Sequence, residues 1–156
     1  MVSKSFLLAV LIGVLMQAAP LSADEGARPS STPPSAATAE TPRPADASLR
    51  TGMEAMRSTI VTRLAATDGR ALHEAEFVAL ADTIDHQIKV IAAGRDFHSR
   101  DGRYLQWLLG DLADGVTLMR TAPRAPAKRL GLMKVVETLN LYGKAFDHPG
   151  WQPISY

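Results

Sequence analysis

Proline is spread so unevenly along this chain that it marks out what each part can fold into. Five of the ten prolines fall between Asp24 and Ala45, and none falls in the 77 residues from Asp46 to Ala122. Inside a helix, proline removes a hydrogen bond and clashes with the preceding turn, costing about 3 kcal/mol. A long proline-free stretch is therefore where helices can run unbroken, and this stretch has a helical apolar period. Leu49, Met53, Met56, Ile60 and Leu64 are separated by steps of 4, 3, 4 and 4. Phe77, Leu80, Ile84, Ile88 and Ile91 follow at 3, 4, 4 and 3, as do Leu105, Leu108, Leu112, Val116 and Met119. After Pro126, the residues Leu132, Val136, Leu139, Gly143 and Phe146 recur at 4, 3, 4 and 3, and Pro149 stops the run. Asp46 or Ser48 can cap the first segment and Thr67-Asp68-Gly69 can end it. Gly94 is placed to end the second, and Pro123 bounds the third.

No run alternates with period 2. The pattern predicts an all-α domain over residues 46–156, folded as an antiparallel up-and-down four-helix bundle. A three-helix form with a frayed first helix is the structural alternative. Gly110 and Gly115 sit inside the third segment at about 1 kcal/mol each relative to Ala. They predict either a close helix approach or a bend.

The segment Asp24–Ala45, DEGARPSSTPPSAATAETPRPA, holds no Leu, Ile, Val, Met or aromatic residue. It has nothing to bury that would offset its ordering entropy, so residues 24–45 are expected to be a disordered, partly polyproline-like tether. PSSTPP also loosely fits a PxxP docking peptide. Upstream, Lys4 precedes an 11-residue apolar run, Phe6–Met16, and then Ala18-Ala19-Pro20-Leu21-Ser22-Ala23. That order predicts a secretory signal peptide over residues 1–23, cleaved after Ala23, and hence a periplasmic protein. Cleavage after Ala18 or Ala19 is an alternative, as is an uncleaved N-terminal anchor. The run is shorter than the roughly 20 residues that cross a bilayer, so no stable transmembrane segment is expected after cleavage.

Charge and cysteine content narrow the chemistry. The chain carries 17 Lys and Arg against 16 Asp and Glu. Losing Lys4 with the signal leaves 16 of each sign, which argues against nucleic acid or any other polyanionic partner. With no Cys, disulfides, thiolate metal sites, a Cys nucleophile and CxxCH haem attachment are excluded. Ser58, Ser99 and Ser155 lie in no GxSxG-like turn, and no Gly-rich phosphate loop occurs. No enzymatic constellation emerges. The pair Asp111 and Asp114 is expected on a solvated helix face.

Three features retain functional content. The four histidines, His73, His86, His98 and His148, show no i, i+3 or i, i+4 pairing for a shared metal. A composite site is still conceivable around His98, with Asp96 and Asp101, or around His148. Met53 is the soft donor that could join them on copper or on haem iron, against the ordinary use of Met in cores. No cofactor is the leading expectation. Next, Arg120, Arg124, Lys128 and Arg129 form a run of cations that could dock an acidic partner or anionic headgroups, or simply support the end of the third helix. Finally, the stretch Leu141–Pro153 mixes Tyr142, Phe146 and Trp151 with turn residues. Its aromatics can fold back over the domain's end, or Tyr142 and Trp151 can form a partner-binding patch.

The signal, the Pro-rich spacer, the phrase Gly52-Met53-Glu54-Ala55-Met56-Arg57 and the terminal YGKAFDHPGW resemble the small exported DnrO-like proteins of Gram-negative bacteria. The likeness covers residues 46 to 153 and implies no activity, ligand or site residue. In architecture the chain is also similar to cytochrome c′ and the haem-b four-helix cytochromes. It lacks the CxxCH of the first and the well-placed His of the second. The expected function is that of a non-enzymatic periplasmic accessory or binding protein, meeting another periplasmic protein or a small ligand. The alternative is a metal or haem handler using His98, His148 and Met53.

Overall fold

The computed structural model of the protein describes residues 41–155. The expected signal segment and residues 24–40 of the expected tether lie outside the described residues. Within them are four helices, α1 (Ala47–Ala65), α2 (Glu74–Ala92), α3 (Arg100–Thr121) and α4 (Ala125–Ala145). Two short strands, β1 (Arg43–Pro44) and β2 (Phe146–Asp147), pair in parallel, Arg43 with Phe146 and Pro44 with Asp147.

Each helix starts and stops for a local reason. The Asp46 carboxylate caps α1 by accepting from Leu49 N at 2.8 Å, and Ser99 Oγ caps α3 by accepting from Gly102 N at 3.0 Å. At the start of α2, His73 holds the N-cap position and its backbone N–H donates to the Glu76 carboxylate. Gly94, just past α2, adopts φ +70°, a left-handed turn that favours glycine. Helix α4 begins one residue before Pro126 rather than after it, because proline is at home in a first turn whose N–H groups lack helical partners.

At its far end α4 stops at Ala145. The last residue of its apolar stripe, Phe146, belongs to β2. The tether expectation is corrected at the same place. Arg43 and Pro44 pair with β2 and Ala45 is buried, so the folded part begins before Asp46. Composition gave no hint of this, since the pairing uses backbone groups of a segment with no large apolar side chain of its own.

The apolar stripes close on one core. Met53, Met56, Ile60, Ala81, Ile84, Leu108, Leu112, Met119, Leu132 and Leu139 are all fully buried within it. Leu64, the last residue of the first stripe, is only half-buried against it. Each helix packs on the next in sequence, and the α3–α4 interface is the most extensive. Its reach comes from two glycines that meet at the crossing. A Cβ on Gly115 would lie 2.9 Å from Gly131 O and 2.7 Å from Val135 Cγ2. A Cβ on Gly131 would lie 2.6 Å from Gly115 O and 2.8 Å from Met119 N. Gly115 thus serves close approach, whereas Gly110 is exposed and nothing lies within 4 Å of the Cβ it lacks.

Polar groups fasten the same interface. Asp111 accepts from Lys134 Nζ and, at 2.7 Å, from Thr138 Oγ1. Burial raises the Asp111 pKa, but these two donors outweigh it and hold the carboxyl below its ordinary value. Asp111 is therefore a fastening between helices, which corrects its expected place on a solvated face. Asp114 is exposed as expected. At the β1–β2 end, Arg95 reaches from the end of α2 to grip Asp46 through both oxygens, at 2.7 and 2.9 Å. Those bonds, with the one from Leu49 N, lower the Asp46 pKa to about 2. This exposed pair fixes direction more than it stabilises, since such bridges contribute at most about 1 kcal/mol.

Opposite responses are expected from the two α3–α4 region glycines. Gly131→Ala forces backbone apart and destabilises the domain by about 1–3 kcal/mol, while Gly110→Ala stabilises by up to about 1 kcal/mol through helix propensity. Urea denaturation of both variants checks this, and a neutral Gly131→Ala would show that the helices do not need the contact.

Candidate functional site

The aromatic tail folds back on the domain. Tyr142 on α4 has 0% exposure. Its ring stacks on Phe146, with centroids 5.1 Å apart, and meets Trp151 edge-on at 5.0 Å. The indole lies so close to α4 that a Cβ on Gly143 would overlap ring atoms Cδ1 and Nε1 of Trp151. Beyond it, Asn140 exchanges two hydrogen bonds with the Ile154 backbone, at 2.8 and 3.0 Å, and Arg57 on α1 donates to Gln152 O. The tail thus ties α4 to α1. Fold-back covers the two aromatic site candidates unequally. Tyr142 is corrected from partner-binding residue to core residue, because its ring is enclosed on all sides. Trp151 is half-buried and engaged with Tyr142, His148 and Arg57.

The metal donors are held in other ways. Met53 has 0% exposure in the core, so its thioether is committed to packing and is corrected as a candidate ligand. His98 is exposed on the α2–α3 loop. Its neighbour Asp96 accepts from the His98 backbone N at 2.8 Å, and Asp101 lies 3.6 Å from Arg43 Nε. Both carboxylates of the expected His98 composite are therefore turned to backbone or to arginine. His148 Nδ1 lies 2.9 Å from Tyr142 Oη, a hydrogen bond that fixes the ring. Among the described residues, no three His, Asp or Glu side chains converge as a metal site would need.

The run of cations is divided by the fold. Arg120 pairs with Asp82 at 2.7 Å and with Asp85 at 3.6 Å, across to α2. Lys128 is only 5% exposed, and its ammonium donates to Met119 O and Arg120 O at 3.1 and 3.0 Å. It caps the C-terminus of α3, where the last carbonyls have no helical partner. Lys128 is thus corrected from partner-binding to structural, since its ammonium points into the protein. Arg124 and Arg129 stay exposed on the surface.

Arg129 also lines a cavity of about 430 Å³ between the α1–α2 turn and the start of α4. Leu64, Leu72, Phe77 and Pro126 give it apolar walls, with Arg70 and Arg129 on its rim. Phe77 and Leu72 are buried at its base. Arg70 is engaged by two bonds to Glu76, at 2.7 and 2.8 Å. No acidic residue lines the cavity, and the first turn of α4 carries none either.

Two other hollows are less suited to a ligand. A cleft of about 470 Å³ at the β1–β2 end is rimmed by Asp46, Arg95, Asp96 and Asp101, whose charged groups the fold already uses. A wider, shallower hollow of about 630 Å³ runs along α1 from Arg50 to Ser58, beside His148.

Sequence reasoning missed the walls of the apolar cavity because they come from three separate elements, and Leu72 belongs to a turn rather than a stripe. It also passed over Trp107, which is 52% exposed on α3, with its ring 5.6 Å from Tyr104. Its position off the stripe Leu105, Leu108, Leu112 was the available signal.

The tail should loosen in mild acid. Burial lowers the His148 pKa and Arg50 lowers it further, with Glu54 opposing. The unfolded chain then takes up the proton more readily, so this contribution is intact above the ordinary value of about 6.5 and fades as pH falls below it. The two tryptophans are Trp107 and Trp151. In a Trp107→Phe background, Trp151 emission is expected to shift to the red as pH falls below about 6.5, and adding His148→Phe should remove that dependence. No protein-family model, curated protein or solved structure matches the chain.

Proposed function

We propose that this is an exported, periplasmic, non-enzymatic binding protein, built as an antiparallel up-and-down four-helix bundle that holds a small ligand at one end. The export part rests on Lys4, the run Phe6–Met16 and the small residues up to Ala23. Helices that pack on their neighbours in sequence and are joined by the short connections 66–73, 93–99 and 122–124 support the antiparallel arrangement. Residues 24–40 then act as spacer between the cleavage point and the folded part.

The observation that carries the binding reading is the apolar cavity with its arginine rim. A hollow of about 430 Å³ falls within the range of roughly 300–1,000 Å³ typical of small-molecule sites, with apolar walls and few polar groups as such sites have. The likeness to DnrO-like exported proteins agrees with this setting and adds no ligand. The metal or haem reading has no observation in its favour, since Met53 is sealed in the core and the His98 and His148 surroundings are taken up by the fold.

Native mass spectrometry of the protein recovered from the periplasm tests the proposal. The expected result is a chain beginning at Asp24 with a small organic mass that is lost on denaturation. A full-length mass would refute cleavage, and the mass of a metal ion or haem would refute the ligand reading.

A further inference from the structure

We infer that the cavity between the α1–α2 turn and the start of α4 takes a small uncharged aromatic molecule, its flat ring system stacked on the Arg70 guanidinium. The inference rests on the binding reading above and goes further by naming the ligand class.

Charge balance carries the argument. Among the described residues that line the cavity, the charged ones are Arg70 and Arg129. Both are already engaged within the protein. The Arg70 charge is met by Glu76, whose carboxylate oxygens accept from Nη1 and Nη2 at 2.8 and 2.7 Å. Nη1 also donates to Ala71 O at 3.0 Å. An anion entering the cavity would compete with Glu76 for these nitrogens, and its success would leave a carboxylate without its partner. The start of α4 is a poor anion site as well, because Pro126 in its first turn has no N–H to donate. A cation would meet two arginines. The molecule that fits therefore carries no net charge and is held by the walls, Leu64, Leu72, Phe77 and Pro126.

Among uncharged molecules, Arg70 favours flat π systems. Its bonds to Glu76 and Ala71 lie along the edge of the guanidinium that carries Nη1 and Nη2, and they leave the faces unused. A guanidinium face attracts an aromatic ring and stacks on it. Phe77, 3% exposed at the base of the cavity, offers a second ring to meet it edge-on or offset. A saturated molecule of the same size gains the apolar burial without either ring contact.

Calorimetric titration of the protein near neutral pH with 2-naphthol, decahydro-2-naphthol and 2-naphthoate tests this. The decahydro compound keeps the carbon skeleton and hydroxyl and is the more apolar molecule, so burial alone would favour it. Stacking should reverse that order, with 2-naphthol about threefold tighter. The carboxylate, which finds no unpaired cation, should bind about tenfold more weakly than 2-naphthol. Arg70→Met should remove the preference for 2-naphthol while decahydro-2-naphthol still binds. Ala71→Trp, at an exposed position lining the cavity, should block both alcohols while leaving the helical circular dichroism unchanged.

Tighter or equal binding of decahydro-2-naphthol, or an Arg70→Met protein that still prefers 2-naphthol, would overturn the aromatic assignment and leave the cavity reading in place. So would 2-naphthoate as the tightest of the three, by overturning the charge argument. If none of the three binds, or if Ala71→Trp changes nothing, the cavity reading falls together with the inference.

Discussion

The contact between Gly115 and Gly131 is the constraint on which the rest of the domain depends. At these two positions a single added carbon would strike the facing backbone, so α3 and α4 sit closer than side chains would allow. That approach sets the axial register of the pair. The register then decides which polar groups can meet across it. Asp111 comes opposite Lys134 and Thr138, and Lys128 comes within reach of the last carbonyls of α3. Gly52 does a smaller version of the same thing between α1 and α2, where a Cβ would lie 2.6 Å from Ile91 Cγ1.

A third close approach, at Gly143, lets the chain's own tail join the domain. Without a side chain there, the Trp151 ring lies close against α4 and meets Tyr142 edge-on. The tail then continues to Asn140 and Arg57, tying together the two helices that are furthest apart in sequence. Aromatic residues carry large apolar areas for few degrees of freedom, so a chain with few of them gains by concentrating Tyr142, Phe146 and Trp151 at one junction. The short pairing of β1 with β2 anchors the incoming chain at the same end, where Arg43 sits over the Tyr104 ring at 3.9 Å.

These fastenings gather at one end of the domain. Strand pairing, the Asp46–Arg95 pair and the tail hold that end together, beside the cleft that Asp46 and Arg95 line. At the other end, the α1–α2 turn and the start of α4 meet without a tail between them, and Arg70 and Arg129 line the hollow there. A cation run that looks uniform in the sequence thus separates in space: Arg120 is paired to α2, Lys128 is turned inward as a cap, and Arg124 and Arg129 are exposed on the surface.

The sequence by itself determined the helices. Steps of three and four residues, a proline-free run, Asp46 as a cap and Gly94 as a stop are local signals, and local backbone geometry obeys them whatever the surroundings. It also placed Met53, Met56 and Met119 in the core, because a stripe of apolar residues must be buried. What only tertiary structure decided are the relations between positions that do not share one helix: Gly115 with Gly131, Asp111 with Lys134, Tyr142 with His148, Lys128 with Met119 O, and the cavity assembled from Leu64, Leu72, Phe77 and Pro126. None of these has a sequence spacing that a helix period could reveal. They arise when two separately formed elements approach, and the distance of approach is set by packing, which no single segment encodes.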